Sequence, residues 1–488
     1  MKKIFLSVVL FSSLASYTQE LTENDALRYA QTDLNGTARF RAMGGAFGAV
    51  GADLSATNVN PAGSALFINN YVSISVANYN SKNKANYFGS KTNENSSTLD
   101  LNQVGGVFVF NAANQENDWN KIAVSINYEN TRDFDNEVFI AGANPSNSIS
   151  QYFVNHANYI ANTDFNDYQY EMGYETFVIN QASNGMFISN VPLGSYTQYN
   201  AISEAGYNGK LTANLATSYK NKLFLGINLN AHFTDYTKTT KLIETNSNAS
   251  NPTSQPSVRD MQFNNNLSTY GSGFSFNLGA IYKVTEDFRI GASYLSPTWY
   301  RLNDELTQDL YTFNNENVSA GMENRYYEGP LFIFPTYKLQ TPSKWTASAA
   351  YIFGNNGLLS VDVATKNYSG IEFRPKNEAV YHDLNSGISN YLTNALEVRV
   401  GGEYKIKKWS LRAGYRFEES PYKNGKTIGD LTNYNCGLGY NFGISRLDLA
   451  YSNLQREYNQ YLISSGMNDT ARIKNTQNNF TLTYSVNF

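Results

Sequence analysis

Residues 222–233 read KLFLGINLNAHF, and single-residue steps along them alternate in character. Leu223, Leu225, Ile227, Leu229, Ala231 and Phe233 fall on one face, and Gly226, Asn228, Asn230 and His232 fall on the other. That period of two belongs to a β-strand. It recurs at Ile122/Val124/Ile126/Tyr128, Phe274/Phe276/Leu278/Ala280/Tyr282, Leu359/Val361/Val363, Leu396/Val398/Val400 and Trp409/Leu411/Ala413/Tyr415. Short polar breaks at Asn221–Lys222, Thr285–Asp287, Gly354–Gly357, Lys405–Lys408 and Phe442–Ser445 alternate with long polar insertions near 132–200, 240–262, 303–330 and 370–390. Tight turns at one rim and long loops at the other are the asymmetry of an outer-membrane barrel, and the breaks divide the chain into about fourteen strands, an even number.

Composition favours lipid around these strands. Only 16% of the 488 residues are charged, against about a quarter in soluble domains. With 37 Tyr, 29 Phe and 35 Gly, the chain suits a wall with apolar groups facing a bilayer and uncharged polar groups facing a lumen. A soluble sandwich would have no use for aromatic residues at so many strand ends. The net charge of −4 leaves no basic stripe to release counterions, so no nucleic-acid partner is expected. No linker or charge run divides the chain, which predicts one monomeric unit. The terminal alternation Phe480, Leu482, Tyr484, Val486, Phe488 looks like the strand that outer-membrane barrel assembly machinery reads, making that machinery an expected partner.

Lys2 and Lys3 precede the apolar run Ile4–Leu14, and Ala15, Ser16 and Thr18 follow. This is the layout of a signal peptide, here residues 1–19, and the run is too short to span a bilayer. Cys436 is the only cysteine, which leaves neither a disulfide framework nor a zinc cluster. An exported chain without a long apolar helix must cross a membrane with strands.

Residues 20–68 lose the alternation. They are rich in Ala and Gly and predict short helices at Asn24–Gln31, Thr37–Met43 and Asp53–Asn58, the last capped by Asp53. Irregular backbone in lipid costs several kcal/mol per unpaired amide, so this segment is expected inside the barrel as a plug. Pro61 stops the third helix at Asn60, and Gly63 lets the chain turn toward a first strand near Tyr71. The predicted fold is therefore all-β: a transmembrane antiparallel barrel over residues 69–488 with an N-terminal helical plug over 20–68.

The run Ala42–Val50 (AMGGAFGAV), then GADLSA from Gly51 and NVNPAG from Asn58 to Gly63, resembles the FadL/TodX-type outer-membrane transporters of long-chain fatty acids and other hydrophobic compounds. Leu339–Tyr351, with Pro342 ahead of a periplasm-bound strand, is a second likeness. The resemblance implies a hatch filling a fourteen-stranded barrel, with Asn60, Pro61 and Ala62 as its gate motif. It also implies passive outer-membrane transport of hydrophobic small molecules, long-chain fatty acids first. Aromatic hydrocarbons, heme, or a structural or secretion-associated barrel that docks a partner protein are the alternatives.

Charges on the lipid face would cost about 2–4 kcal/mol near the midplane, so Glu397, Arg399, Glu403, Arg412, Arg416, Arg446 and Asp448 are assigned to the lumen. They could form a salt-bridge ladder that holds the plug, or Arg399, Arg412 and Arg416 could bind a carboxylate head group in bidentate fashion. Phe134, Phe139, Ile140, Tyr152, Phe153 and Tyr159 give the long second external segment an apolar character, as a ligand-capture surface requires. His156, His232 and His382 lie far apart in sequence, so no metal site is expected. Gly105–Gly106 sits on a strand rather than before a helix and is no phosphate loop. No cofactor and no enzymatic activity are expected.

Overall fold

Fourteen antiparallel strands close on themselves in the computed structural model, which describes residues 21–112, 117–160, 168–250 and 256–488. The proposed signal peptide, residues 1–19, lies outside the described residues. A long hairpin of β1 (Tyr71–Tyr87) and β2 (Ser90–Asn111) is followed by β3 (Trp119–Asp133), β4 (Tyr196–Tyr219), β5 (Leu223–Thr245) and β6 (Asp260–Lys283). Two strands run in two pieces each: β7 (Phe288–Leu295 and Trp299–Phe313) and β8 (Tyr337–Gln340 and Lys344–Phe353). The wall is completed by β9 (Gly357–Asn367), β10 (Asn394–Ile406), β11 (Trp409–Glu418), β12 (Ile428–Asn441), β13 (Ser445–Tyr461) and β14 (Thr470–Asn487). Pairing of β14 with β1, from Asn487↔Tyr71 to Arg472↔Asn86, seals the cylinder.

The phase read from the dyads holds. Leu225, Ile227 and Leu229 face outward, while Asn228, Asn230 and His232 are buried inside. The short breaks are the turns of one rim; at the first of them Lys220 and Asn221 have φ of 52° and 54°, the left-handed pair that a two-residue hairpin turn demands. The long insertions are shorter than expected. β5 and β6 are 23 and 24 residues long, far beyond the roughly ten that cross a bilayer, and β7 stays extended to Phe313 within the expected 303–330 loop. Beyond the lipid the outward face turns polar, so the contrast with the apolar band fades while the backbone ladder continues.

The lumen holds the N-terminal segment: α1 (Glu23–Ala30), α2 (Ala38–Ala42), α3 (Ala56–Val59) and a 3-10 turn at Pro61–Leu66. Ala38, Ala42, Met43, Ala46, Phe47 and Ala49 are all fully buried. One local expectation is corrected: α3 begins at Ala56, and Asp53 does not cap it. The Asp53 carboxylate instead accepts the Thr37 hydroxyl at 2.8 Å and the Ser55 amide at 3.0 Å, tying two hatch turns together.

At the extracellular end α4 (Ser150–Ile160), α5 (Tyr168–Glu175) and a small hairpin (Ile179–Gln181 with Phe187–Ser189) form a cap. Its Ile149, Tyr152, Phe153 and Met172 bury themselves against Phe263 and Leu310 of the wall and Leu462, Ile463 and Ile473 of the β13–β14 end. A further helix, α6 (Ala379–Tyr391), lies in the expected 370–390 loop and packs Ile388 among the residues that surround α1.

Candidate functional site

Thr22 starts α1 by donating its amide and its hydroxyl to the Asp25 carboxylate, both at 2.8 Å, which satisfies one of the donors a helix start leaves open. Ala26, Leu27 and Ala30 recur at helical spacing and are buried with Tyr300, Leu302 and Tyr337. The opposite side of α1 is the floor of a chamber of about 830 Å³, within the range of small-molecule pockets. Its upper wall is apolar, from Val138, Ile202, Leu242, Phe263, Leu454 and Ile463, with Tyr152 of the cap as roof. Arg28, Arg132, Asp133, Glu204, Lys238 and Arg456 also line it.

The arginines divide into two groups. Glu397 accepts Nε of Arg399 at 2.7 Å and of Arg416 at 2.6 Å, and it pairs with Lys344. Glu403 holds Arg39 of the hatch at 2.9 Å and Arg412 at 2.6 Å, and Arg412 also reaches Asp448 at 2.8 Å. Arg416 donates further to Glu418 at 2.7 Å and to the Thr32 carbonyl at 3.3 Å. So Arg399, Arg412 and Arg416 are placed in a ladder that joins wall and hatch, and none of the three lines the chamber. Arg456 does line it, with Nε and Nη2 both buried and without a hydrogen-bond partner. Sequence reading passed over this residue. It shares the inward phase of Arg446 and Asp448 on β13, so extending that phase upward would have found it.

The hatch is docked through Asn60. Its side-chain Nδ2 donates to the carbonyls of Gly48 at 2.8 Å and Ala280 at 3.0 Å, and its Oδ1 accepts the Ala62 amide at 3.2 Å. Pro61 starts the 3-10 turn, and Ala62 is wholly buried. Wall glycines make the close approach possible: a Cβ on Gly279 would lie 2.1 Å from Asn60 Oδ1, and one on Gly226 would lie 2.4 Å from the Pro61 carbonyl carbon.

The wall itself is interrupted beside the hatch. Strand β2 pairs with β3 only between Gln103↔Glu129 and Asn111↔Lys121, whereas its ladder with β1 continues to Ser90. Past Asp133 the chain turns inward, and Asn136–Asn144 lies behind the β1–β2 hairpin, where Asn83 Nδ2 donates to Asn136 Oδ1 and to the Glu137 carbonyl, both at 2.7 Å. Among the described residues no ladder bond crosses the gap, but side chains do: Asn130 to Asp100 at 2.5 Å, Thr98 to Asp133 at 3.2 Å and the Thr92 hydroxyl to the Phe139 carbonyl of the segment that pairs with β4. Behind it stands the hatch turn at Gly36, whose carbonyl accepts Asn102 Nδ2 at 2.7 Å.

The residues expected to form an external capture surface are mostly internal. Ile140, Tyr152 and Phe153 are buried in the cap cluster, Phe134 packs against Tyr29, Phe139 is half-buried, and Tyr159 is 60% exposed. Tyr152 and Phe134 line the chamber. His156 lies in α4, His232 in β5 and His382 in α6, and among the described residues no cluster of metal-ligating side chains occurs.

A family model of outer membrane transport proteins (OMPP1/FadL/TodX) matches residues 20–488. The chain belongs to the FadL/TodX family. It is accordingly an outer-membrane protein of a family that transports hydrophobic compounds, and the family is one of channels. Among solved structures, it is similar in fold to a FadL homologue from Pseudomonas aeruginosa, at 13% identity and TM-score 0.58, covering 94% of this chain and 99% of that one. The Pseudomonas putida toluene transporter TodX matches at 16% identity and TM-score 0.51, over 94% of this chain and 100% of its own. The monoaromatic hydrocarbon channel CymD matches at 14% and TM-score 0.50, over 94% and 99%. No curated protein sequence matches this FadL/TodX chain.

Proposed function

We propose that the chain carries amphiphiles of the long-chain fatty acid class, with the carboxylate received at Arg456 and the hydrocarbon lying along the apolar upper wall. One observation carries this reading. A guanidinium whose Nε and Nη2 are buried without a hydrogen-bond partner, with Glu418 close enough to act on its charge, lines the same chamber as Leu242, Phe263 and Leu454, and buried donors left unmade are costly until an acceptor joins them. A carboxylate fits the planar donor fork. Ligand leaves sideways through the β2–β3 gap once the hatch turn at Gly36 withdraws, so an apolar tail passes into lipid without crossing water.

TodX is a toluene transporter and CymD a monoaromatic hydrocarbon channel, and a neutral ligand is the competing outcome. The test compares uptake of oleate and of toluene by cells producing wild-type or Arg456→Gln protein. Oleate uptake is expected to fall at least tenfold while toluene uptake is unchanged. Equal loss of both, or toluene uptake with no oleate uptake in the wild type, overturns the assignment. Joining Thr98→Cys to Asp133→Cys in a Cys436→Ser background is expected to stop uptake until reductant is added.

A further inference from the structure

The outer face of the β14–β1–β2 seam changes character with height. Lowest come Tyr484, Ile74 and Val104, then Leu482, Val76 and Leu101, then Phe480 beside Asn78 and Leu99, all in registered rows. Above them is a belt of amides: Tyr451 Oη and Asn453 Nδ2 donate to Asn478 Oδ1 at 2.7 and 2.8 Å, and Asn80 Nδ2 donates to the Asn478 carbonyl at 2.9 Å. Apolar side chains give way to an aromatic edge and then to uncharged polar groups, which is the order of acyl chains, interface and head groups.

The next three rows are cationic. Across β14, β1 and β2 they read Thr476, Lys82, Asn95; then Lys474, Lys84, Asn93; then Arg472, Asn86, Lys91. All five cations are exposed on the outward face, while Asn83 and Asn475 between them are buried and bonded to each other at 2.8 Å inside. None of these nine positions carries a carboxylate. Lys84 and Lys474 are direct cross-strand partners, an arrangement in which like charges are destabilising on their own. Glu457 of β13 is the registered partner of Lys474 on its other side and accepts Arg472 Nε at 3.1 Å, so one carboxylate faces the five cations.

Lys474 stands six residues above Phe480, roughly 20 Å along the strand and about 15 Å along the membrane normal at a tilt near 40°. Lysine stems reach back toward the interface from there. We propose that this patch is a binding site for the phosphorylated head group of an outer-leaflet glycolipid, its phosphates seated between Lys84 and Lys474 with Lys82, Lys91 and Arg472 around them. Rows about 7 Å apart and strands about 4.8 Å apart spread the five charges over the footprint of a doubly phosphorylated disaccharide. A dianion explains why two lysines face each other where a strand pair would otherwise avoid it. The site flanks the open edge of β2, so bound lipid also lies beside the wall gap.

The experiment uses the full chain in detergent micelles, with native mass spectrometry and thermal melting as readouts, and diphosphoryl lipid A or its dephosphorylated form as probe. Wild-type protein is expected to retain diphosphoryl lipid A at least tenfold better than the dephosphorylated form and to melt higher with it. Lys84→Gln/Lys474→Gln protein is expected to fold normally, to melt at or above the wild-type temperature without lipid because the like-charge pair is gone, and to lose the lipid-dependent rise. Equal retention of both lipids, or an undiminished rise in the double variant, overturns the proposal. Retention of dextran sulfate with no preference for lipid A would place a soluble polyanion there and overturn the lipid assignment.

Discussion

Asn60 of the hatch donates its side-chain Nδ2–H to the carbonyl of Ala280, on wall strand β6, at 3.0 Å. The same nitrogen reaches Gly48 within the hatch, so one amide joins the plug's two turns to the barrel. Asn60→Ala leaves buried acceptors unpaired, at a cost of roughly 1–3 kcal/mol, while no ladder bond is touched. Folded barrel of normal gel mobility is expected, with faster hydrogen exchange over residues 44–66 and impaired uptake of hydrophobic ligand. Pro61→Ala should impair uptake in the same direction by releasing φ. Wild-type uptake and exchange in both variants would remove the motif from gating.

Gly226 and Gly279 decide how deeply the hatch sits. Adding a side chain at Gly226 places atoms within the Pro61 backbone, which cannot retreat without lifting the plug. Gly226→Val is expected to assemble yet to conduct ions in planar bilayers, and deletion of residues 24–63 should conduct more and sensitise cells to large antibiotics. Wild-type impermeability of both would mean that another element closes the lumen.

Arg412 has no exposed side-chain surface and sits between Glu403 and Asp448. Arg412→Met leaves Glu403 to Arg39 and Asp448 to Arg446, each at 2.9 Å, so the cost is expected to stay below the roughly 3–5 kcal/mol of a buried pair broken outright. The heat-modifiable gel shift should occur at a clearly lower temperature, with oleate and toluene uptake lowered in equal proportion. Selective loss of oleate would instead assign Arg412 to head-group binding.

Glu244, at the outer end of β5 beyond the membrane, fixes the cap by accepting the Ile149 amide at 2.9 Å, Gln198 Nε2 at 2.6 Å and the Ser148 hydroxyl. Burial pushes its carboxyl up to about 7 from an ordinary 4.5 despite those donors. The docked cap therefore binds a proton that an open cap releases. Docking is strongest below about 4.5, weakens as pH rises toward 7, and levels off above it, over a ceiling of about 3 kcal/mol. Hydrogen exchange of α4, corrected for intrinsic rate, should be faster at pH 8 than at pH 5 in the wild type and independent of pH in Glu244→Gln. An unchanged slope in that variant would locate the titrating group elsewhere.

Much of the barrel is local information and is legible in the chain. A strand's faces are set by a period of two, and lipid forbids charge on one of them, so the inward phase of Arg399, Arg412, Arg416 and Asp448 follows from neighbours such as Val398, Leu411 and Leu449. The small residues before Asn60 likewise announce a segment that must pack closely. Which arginine keeps donors open to the chamber is not local. Arg412 is neutralised because β13 brings Asp448 beside it, whereas Arg456, eight residues farther along that strand, rises above the ladder into a chamber walled by distant strands. The wall gap is equally invisible, since it consists of ladder bonds that β2 and β3 do not make. The apolar second external segment looks like an exposed capture surface until the fold turns Tyr152 and Phe153 inward against Phe263. Phase along a strand is covalent geometry; the partner across a strand, and the space left between strands, exist only once the cylinder has closed.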